Sequence, residues 1–301
     1  MVFIRAVLLL TLLILFVGCR PSSPTTTDLL QQHLAAERPA QAHYHLEIIA
    51  HDTGWTPELH LQAADIALMM NQTRRALTHW ESLDSPSQQL LQRMAESYLT
   101  LGDWANAQTT LEHLATFDPQ NADIHYQLGL LRAPFDPSGA IADFEVAVSD
   151  ALYATQSRVL IDTLQTHRAD PLVSMYVGLS LANLNIWDHA ERAFRYAALT
   201  QHPYPEALAY TALARRNQGE DGREWIEQAL DLAPENPRVQ FVNGVYLREI
   251  GEFDASVQAF GNAVALDPNN PTFAVELGTA YQLDDQFARA EYWLRTAVTL
   301  S

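Results

Sequence analysis

The chain of 301 residues contains no lysine. All 18 of its basic residues are arginines, set against 36 acidic ones for a formal charge of −18. This excludes Schiff-base and pyridoxal-phosphate attachment, the phosphate-binding lysine of nucleotide loops and the lysine ion pair of kinases. An acidic chain without a basic stripe also excludes nucleic acid as a partner, because phosphate contacts need clustered cations. Cysteine is scarce too: Cys19 is the only one, so no internal disulfide or thiolate metal cluster can form. Glycine is limited to 12 residues, and there is no Gly-x-Ser-x-Gly elbow, Cys-x-x-Cys pair or glycine-rich phosphate loop. These absences point away from an enzyme and call for no cofactor.

What is present begins with an export signal. Arg5 is followed by an apolar run from Ala6 to Val17 and then by the small Gly18. That pattern predicts a signal peptide over residues 1–18, since a membrane-spanning helix would need about 20 apolar residues. The segment Phe16-Val17-Gly18-Cys19 resembles the lipobox of bacterial lipoproteins. The resemblance implies that Cys19 becomes the lipidated first residue, that several acyl chains anchor it to a membrane, and that the protein works in the bacterial cell envelope on the exported side. Arg20 in place of aspartate then favours an outer membrane, if the organism has one. Residues 19–27, rich in proline and hydroxyl groups, read as the lipidated cysteine and a short linker.

The rest of the chain repeats itself. Gly244 and Gly278, Phe253 and Phe287, Ser256 and Ala290, Leu266 and Leu300, Pro234 and Pro268, and Asn236 and Asn270 are each separated by 34 residues. Small residues at fixed places and a proline at each junction are the signature of stacked helical hairpins. The segment Leu277-Gly278, Tyr281, Phe287, Ala290, Ala297 resembles the tetratricopeptide repeat (TPR). Gly278 and Ala290 fall where two helices of a hairpin cross, and bulky Tyr281 and Phe287 are expected to fill the space between neighbouring hairpins.

Earlier units carry the same marks, in Gly178 with Phe194, in Leu128-Gly129 with Phe144, and in Ala95 with Trp104 and Ala107. The unit at 57–87 keeps Ala64, Ala67, Ala76 and Trp80 but has no turn glycine, and Ala42, Leu46 and Ile49 suggest a degenerate first unit from about Ser23. The fold expected is all-α, a right-handed superhelical solenoid of stacked antiparallel helix pairs with about eight repeats. An irregular helix at 151–169, with Leu152, Val159, Leu160 and Leu164 on one face, would interrupt it. The expected organisation is therefore an N-terminal array at 28–150, a connecting helix at 151–170 and a C-terminal array at 171–301.

The TPR resemblance implies a concave groove lined by the first helix of each hairpin. Its lining positions map to Tyr126, Leu130, Leu172, Met175, Leu179, Ala209, Leu213, Arg216, Arg238, Phe241, Val245 and Arg248, with Glu58, Leu61, Asp65, Gln92 and Glu96 towards the N-terminus. About half of the apolar ones are expected to pack against the neighbouring hairpin instead. The arginines suit capture of a carboxylate, and the partner implied is a protein or peptide. The lysine clamp of chaperone-binding relatives is absent.

Two chemical signals stand apart. His43, Glu47 and His51 lie at i, i+4 and i+8 of a predicted helix, a spacing able to ligate a divalent metal; an incidental polar face is the plainer reading. Asp52-Thr53-Gly54 matches the triplet of aspartic proteases but occurs once, in a turn. The reading is thus a non-enzymatic lipid-anchored scaffold. A metal-dependent envelope enzyme and a self-assembling subunit are the alternatives, the latter because Arg289, Glu291 and Arg295 give the last helix only partial polarity and a homodimer could cover it.

Overall fold

Helix starts follow one recurrent signal. Thr25, Thr56, Ser87, Asn121, Asn236 and Asn270 sit in extended backbone, and each side chain accepts a backbone N–H from the helix turn that follows. This satisfies donors that a helix start leaves without partners. Proline opens helices at Pro39, Pro57, Pro137, Pro205, Pro237 and Pro271, where its missing N–H costs nothing.

The computed structural model describes residues 23–200 and 204–300, and among these it holds seventeen α-helices and no strand. The helices are α1 (Thr26–Ala35), α2 (Pro39–Thr53), α3 (Pro57–Met69), α4 (Thr73–Glu81), α5 (Gln88–Thr100) and α6 (Trp104–Phe117). They continue as α7 (Ala122–Arg132), α8 (Pro137–Ala147), α9 (Ala154–His167), α10 (Val173–Asn183), α11 (Trp187–Thr200) and α12 (Pro205–Asn217). The last five are α13 (Arg223–Leu232), α14 (Pro237–Glu249), α15 (Phe253–Leu266), α16 (Pro271–Leu283) and α17 (Phe287–Leu300). The signal peptide, Cys19 and the first part of the linker lie outside the described residues. Thr26 and Thr27, expected in the linker, instead form the first turn of α1, because Thr25 and Asp28 close a reciprocal capping box.

The chain forms two compact units, one reaching Thr110 and the other starting at Leu111. In the first, α1 packs on α2 and α3 on α4, so the segment expected to be degenerate is a complete hairpin. Its core joins Leu30, Ala42, Leu46, Ala63 and Ile66. In the second, α7 packs on α8, α10 on α11, α12 on α13, α14 on α15 and α16 on α17. The antiparallel helix pairs stack as the expected helical repeats.

The turns inside the hairpins share one construction. After α1, α3, α5, α10, α12, α14 and α16 a single residue takes positive φ: Glu37, Asn71, Gly102, Asn185, Gly219, Gly251 and Asp285. At each, the following N–H reaches back to the carbonyl five residues earlier, as in Gln72 to Ala67 (2.8 Å) and Glu252 to Leu247 (2.9 Å). This is the Schellman closure, which satisfies the last carbonyls of the first helix and turns the chain straight into the second. The unit without a turn glycine therefore keeps its turn, through Asn71.

Within the hairpins a glycine of one helix faces a large side chain of the other. A Cβ on Gly129 would lie 2.6 Å from the Phe144 ring, on Gly178 2.5 Å from Phe194, and on Gly244 2.7 Å from Phe260; on Gly278 it would meet Leu294 at 2.8 Å. Phe144, Phe194 and Phe260 are fully buried. Phe287 does not fill the space between hairpins as expected. It lies at the start of α17 and is 62% exposed, and the ring-filling position belongs to residues seven further on, Phe260 in α15 and Leu294 in α17.

The extra helix expected at 151–169 is α9, which packs on α8 and α10. Its buried stripe is Ala154, Ser157, Leu160 and Leu164. Leu152 and Val159, expected on that face, are exposed, Leu152 because it precedes the helix and Val159 because it points about 100° away from Leu160.

Two glycine substitutions should separate the two roles. Gly251→Ala, at φ +83 with open space around an added Cβ, should cost about 1 kcal/mol from backbone strain alone. Gly178→Ala, which drives a methyl group into the buried Phe194 ring, should cost more, about 1–3 kcal/mol. Urea-unfolding midpoints of the two variants, with Asn71→Gly expected to be near neutral, check this order.

Candidate functional site

The first-helix positions of the second unit divide by burial. Tyr126, Leu130 and Met175 are buried in the core, as is Ala209. Tyr126 stacks on Tyr153 at 4.5 Å between ring centroids and meets the Phe144 ring edge-on. These side chains hold hairpins together and present no surface to a ligand, which corrects their place among the groove residues. The ring of Tyr126 is held between Phe144 of its own hairpin and Tyr153, which follows that hairpin in the chain.

Leu172, Leu179, Leu213, Phe241 and Val245 are half-buried, with one side against the core and the other open. Phe241 stacks on Phe273 at 5.1 Å and meets Phe260 at 5.8 Å, so its ring is fixed in place. Around these residues stand three arginines, each already engaged. Arg216 donates to the Glu249 carbonyl (3.1 Å), Arg248 pairs with Glu276, and Arg238 lies 3.7 Å from Glu206. Arg238 also hydrogen-bonds Tyr210, and together these partners hold its guanidinium above its ordinary range against the opposing effect of burial. In the first unit Glu58, Leu61, Asp65, Gln92 and Glu96 are exposed, and Asp65 pairs with Arg93 at 2.6 Å.

The candidate metal residues do not assemble as a triad. His43 and Glu47 meet at 3.5 Å, but the Arg75 guanidinium reaches both, at 2.7 Å from His43 Nε2 and 3.2 Å from Glu47. A resident cation thus takes the place a metal would need, and burial followed by Arg75 pushes the His43 imidazole below its usual range. His51 is exposed and turns to Asp52, 3.2 Å away. Among the described residues no group of three or more His, Cys, Asp or Glu side chains is placed to hold a metal. Asp52 and Thr53 end α2, with the Thr53 hydroxyl donating to Ile49, a structural closure.

Two further polar centres lie in the second unit. Asp143, almost fully buried, accepts from Arg132 at 2.6 Å and pairs with His125 at 2.8 Å, while Arg132 also binds Glu112 at 2.7 Å. The other His125 nitrogen lies 3.2 Å from the Pro119 carbonyl. No nucleophile shares this network, whose effect is to pin α7 to α8. The second centre is His189 in α11. Burial lowers its pKa to about 4, opposed by Asp188 at 3.9 Å and assisted by Arg192.

No protein-family model matches the chain. Among solved structures it is similar to a tetratricopeptide repeat protein from Parabacteroides merdae, with 14% identity, 85% of this chain and 97% of that one covered, and a TM-score of 0.41. It is similar to MamA from Desulfovibrio magneticus, with 16% identity, 60% and 94% covered, and a TM-score of 0.37. It is also similar to yeast Tom70, with 12% identity, 80% and 68% covered, and a TM-score of 0.35. At these scores the likenesses carry no functional argument, and the repeat fold stands on the hairpin packing of this chain itself.

The buried His189 makes stability depend on pH. Below its ordinary value the unfolded chain takes up a proton that the folded chain refuses until about pH 4. Stability is therefore complete above about pH 6.5 and falls as the pH drops towards 4, by an amount on the order of a few kcal/mol. Urea midpoints measured across this range should fall for the wild type, and the slope should be shallower for His189→Gln.

Proposed function

We propose that this chain is a non-enzymatic, lipid-anchored scaffold of the bacterial cell envelope, built from TPR-like repeats, which holds a segment of a partner protein along the first-helix face of its second unit. The observation that carries the reading is the run of half-exposed Leu179, Leu213, Phe241 and Val245 on consecutive first helices, with Arg216, Arg238 and Arg248 beside them. Each apolar side chain is braced by the core on one side, so a docked segment would find little side-chain freedom left to lose. The arginines supply planar donors suited to carboxylates of the partner, although each must share or exchange its present acceptor. The anchor part of the reading rests on Arg5 to Cys19 in the sequence.

The metal-enzyme alternative through His43, Glu47 and His51 loses its footing to Arg75. Self-association keeps support from one observation on α17. Val264 is 6% exposed beneath α16, whereas Val298, its equivalent 34 positions on, is 78% exposed, and Phe287 and Tyr292 are exposed on the same helix. A second copy covering α17 would bury these side chains.

Photo-crosslinking in the native cell tests the main reading. A crosslinker at Leu213 or Phe241 should capture a discrete partner protein, and one at the buried Tyr126 should not; Leu213→Glu should abolish capture. Cys19→Ala should move the protein and its captured partner out of the membrane fraction, and retention there would overturn the lipid anchor. For self-association, sedimentation of the protein in detergent should show dimers that Val298→Glu dissociates. A monomer at all concentrations removes that reading.

A further inference from the structure

The structure assembles a pair of histidines that no spacing in the sequence announces. His60 stands in the second turn of α3, fixed by Pro57 at the helix start and by the Thr56 cap. His79 stands near the end of α4, 19 residues later, on the helix that packs against α3. Their Nδ1 atoms are 3.2 Å apart and both rings are half-buried. Trp55, in the segment before α3, lies against both rings, at 4.9 Å from His60 and 5.0 Å from His79 between centroids.

A separation of 3.2 Å is at the long limit for an N–H···N hydrogen bond. It is close to the bite of two imidazole nitrogens on one tetrahedral ion, about 3.3 Å for metal–nitrogen bonds of about 2.0–2.1 Å. We propose that His60 and His79 form a two-nitrogen site for a divalent transition-metal ion, held through both Nδ1 atoms beside the Trp55 ring and completed by water. Both rings would carry their remaining proton on Nε2. The fixed helix pair presets the bite, and the Trp55 ring covers one side of both imidazoles.

Several features set the character of the site. The Arg75 guanidinium, engaged by His43 and Glu47, works against any added cation, whereas the excess of acid in the chain favours it. The general affinity order puts Cu(II) ahead of Ni(II) and Zn(II) for two imidazoles and water, and the 3.2 Å bite would hold Cu(II) distorted from square-planar towards tetrahedral.

The test is titration of untagged protein with Cu(II), Ni(II) and Zn(II), followed by tryptophan emission, isothermal calorimetry and, for Cu(II), electron paramagnetic resonance. The expected result is one tight Cu(II) per chain whose spectrum shows coupling to two nitrogens. His60→Gln and His79→Gln should each weaken it at least tenfold, and His43→Gln and His51→Gln should not. Trp55→Phe should keep binding while losing most of the Cu(II)-dependent quenching. Unchanged affinity in the His60 and His79 variants overturns the proposal, as does loss of binding in the His43 or His51 variants instead. The wild-type spectrum decides independently of how the variants fold: absence of two-nitrogen coupling overturns the site.

Discussion

In three hairpins of the second unit the missing side chain of one glycine, facing a buried ring on the second helix, is the contact on which the crossing depends. At Gly129, Gly178 and Gly244 the absence of a Cβ lets Phe144, Phe194 or Phe260 lie directly across the first helix. The ring is then covered completely, a burial that contributes roughly 1.5–3 kcal/mol for each such side chain. The α12/α13 pair reaches the same closeness the other way round, with Gly222 against the Ala212 backbone. Close crossing exposes the outer faces of both helices to the next hairpin, and those faces hold the apolar residues that only a neighbour can cover. A continuous core from Tyr126 to Tyr246 follows, and α9 joins it through Leu160 and Leu164.

Charge is organised by the same repetition. Arg75 with Glu47, Arg93 with Asp65, and Arg248 with Glu276 each pair residues 28 apart, linking a helix to its counterpart in the adjoining hairpin. The two exposed pairs, Arg75 with Glu47 and Arg93 with Asp65, contribute little each, about 0–1 kcal/mol. Their larger consequence is that they engage the cations. Among the described residues nine arginines pair with the chain's own carboxylates, which leaves fewer positive groups free to meet a partner. In the function proposed above, recognition along the first helices of the second unit would lean on Leu213, Phe241 and Val245 for affinity, and on exchange of arginine partners for selectivity.

Helix identity, pairing and most boundaries were legible in the residues themselves. Asn236-Pro237 and Asn270-Pro271 mark helix starts because a side-chain acceptor and a missing donor solve the same local problem. Gly178, Gly244 and Gly278 mark crossings because no other residue leaves room. The turn at Asn71 was harder to see, since asparagine can replace glycine at positive φ without leaving a glycine to count. The candidate groove was legible only in part. Position within a helix says which side a residue faces but not how far the neighbouring hairpin reaches over it, and that reach separates buried Tyr126 and Met175 from half-open Leu213 and Phe241.

By itself the sequence determined the repeat, its period of 34 residues, the absence of lysine and thiol chemistry, and the expectation of a lipidated Cys19. All of these follow from residue identity and local spacing. Tertiary structure decided what depends on helices distant in sequence. It placed Arg75 between His43 and Glu47, turned His51 away, and brought His60 and His79 together beside Trp55. The physical reason is common to all three. Spacing along one helix fixes directions, while the partner met in that direction is set by how hairpins stack.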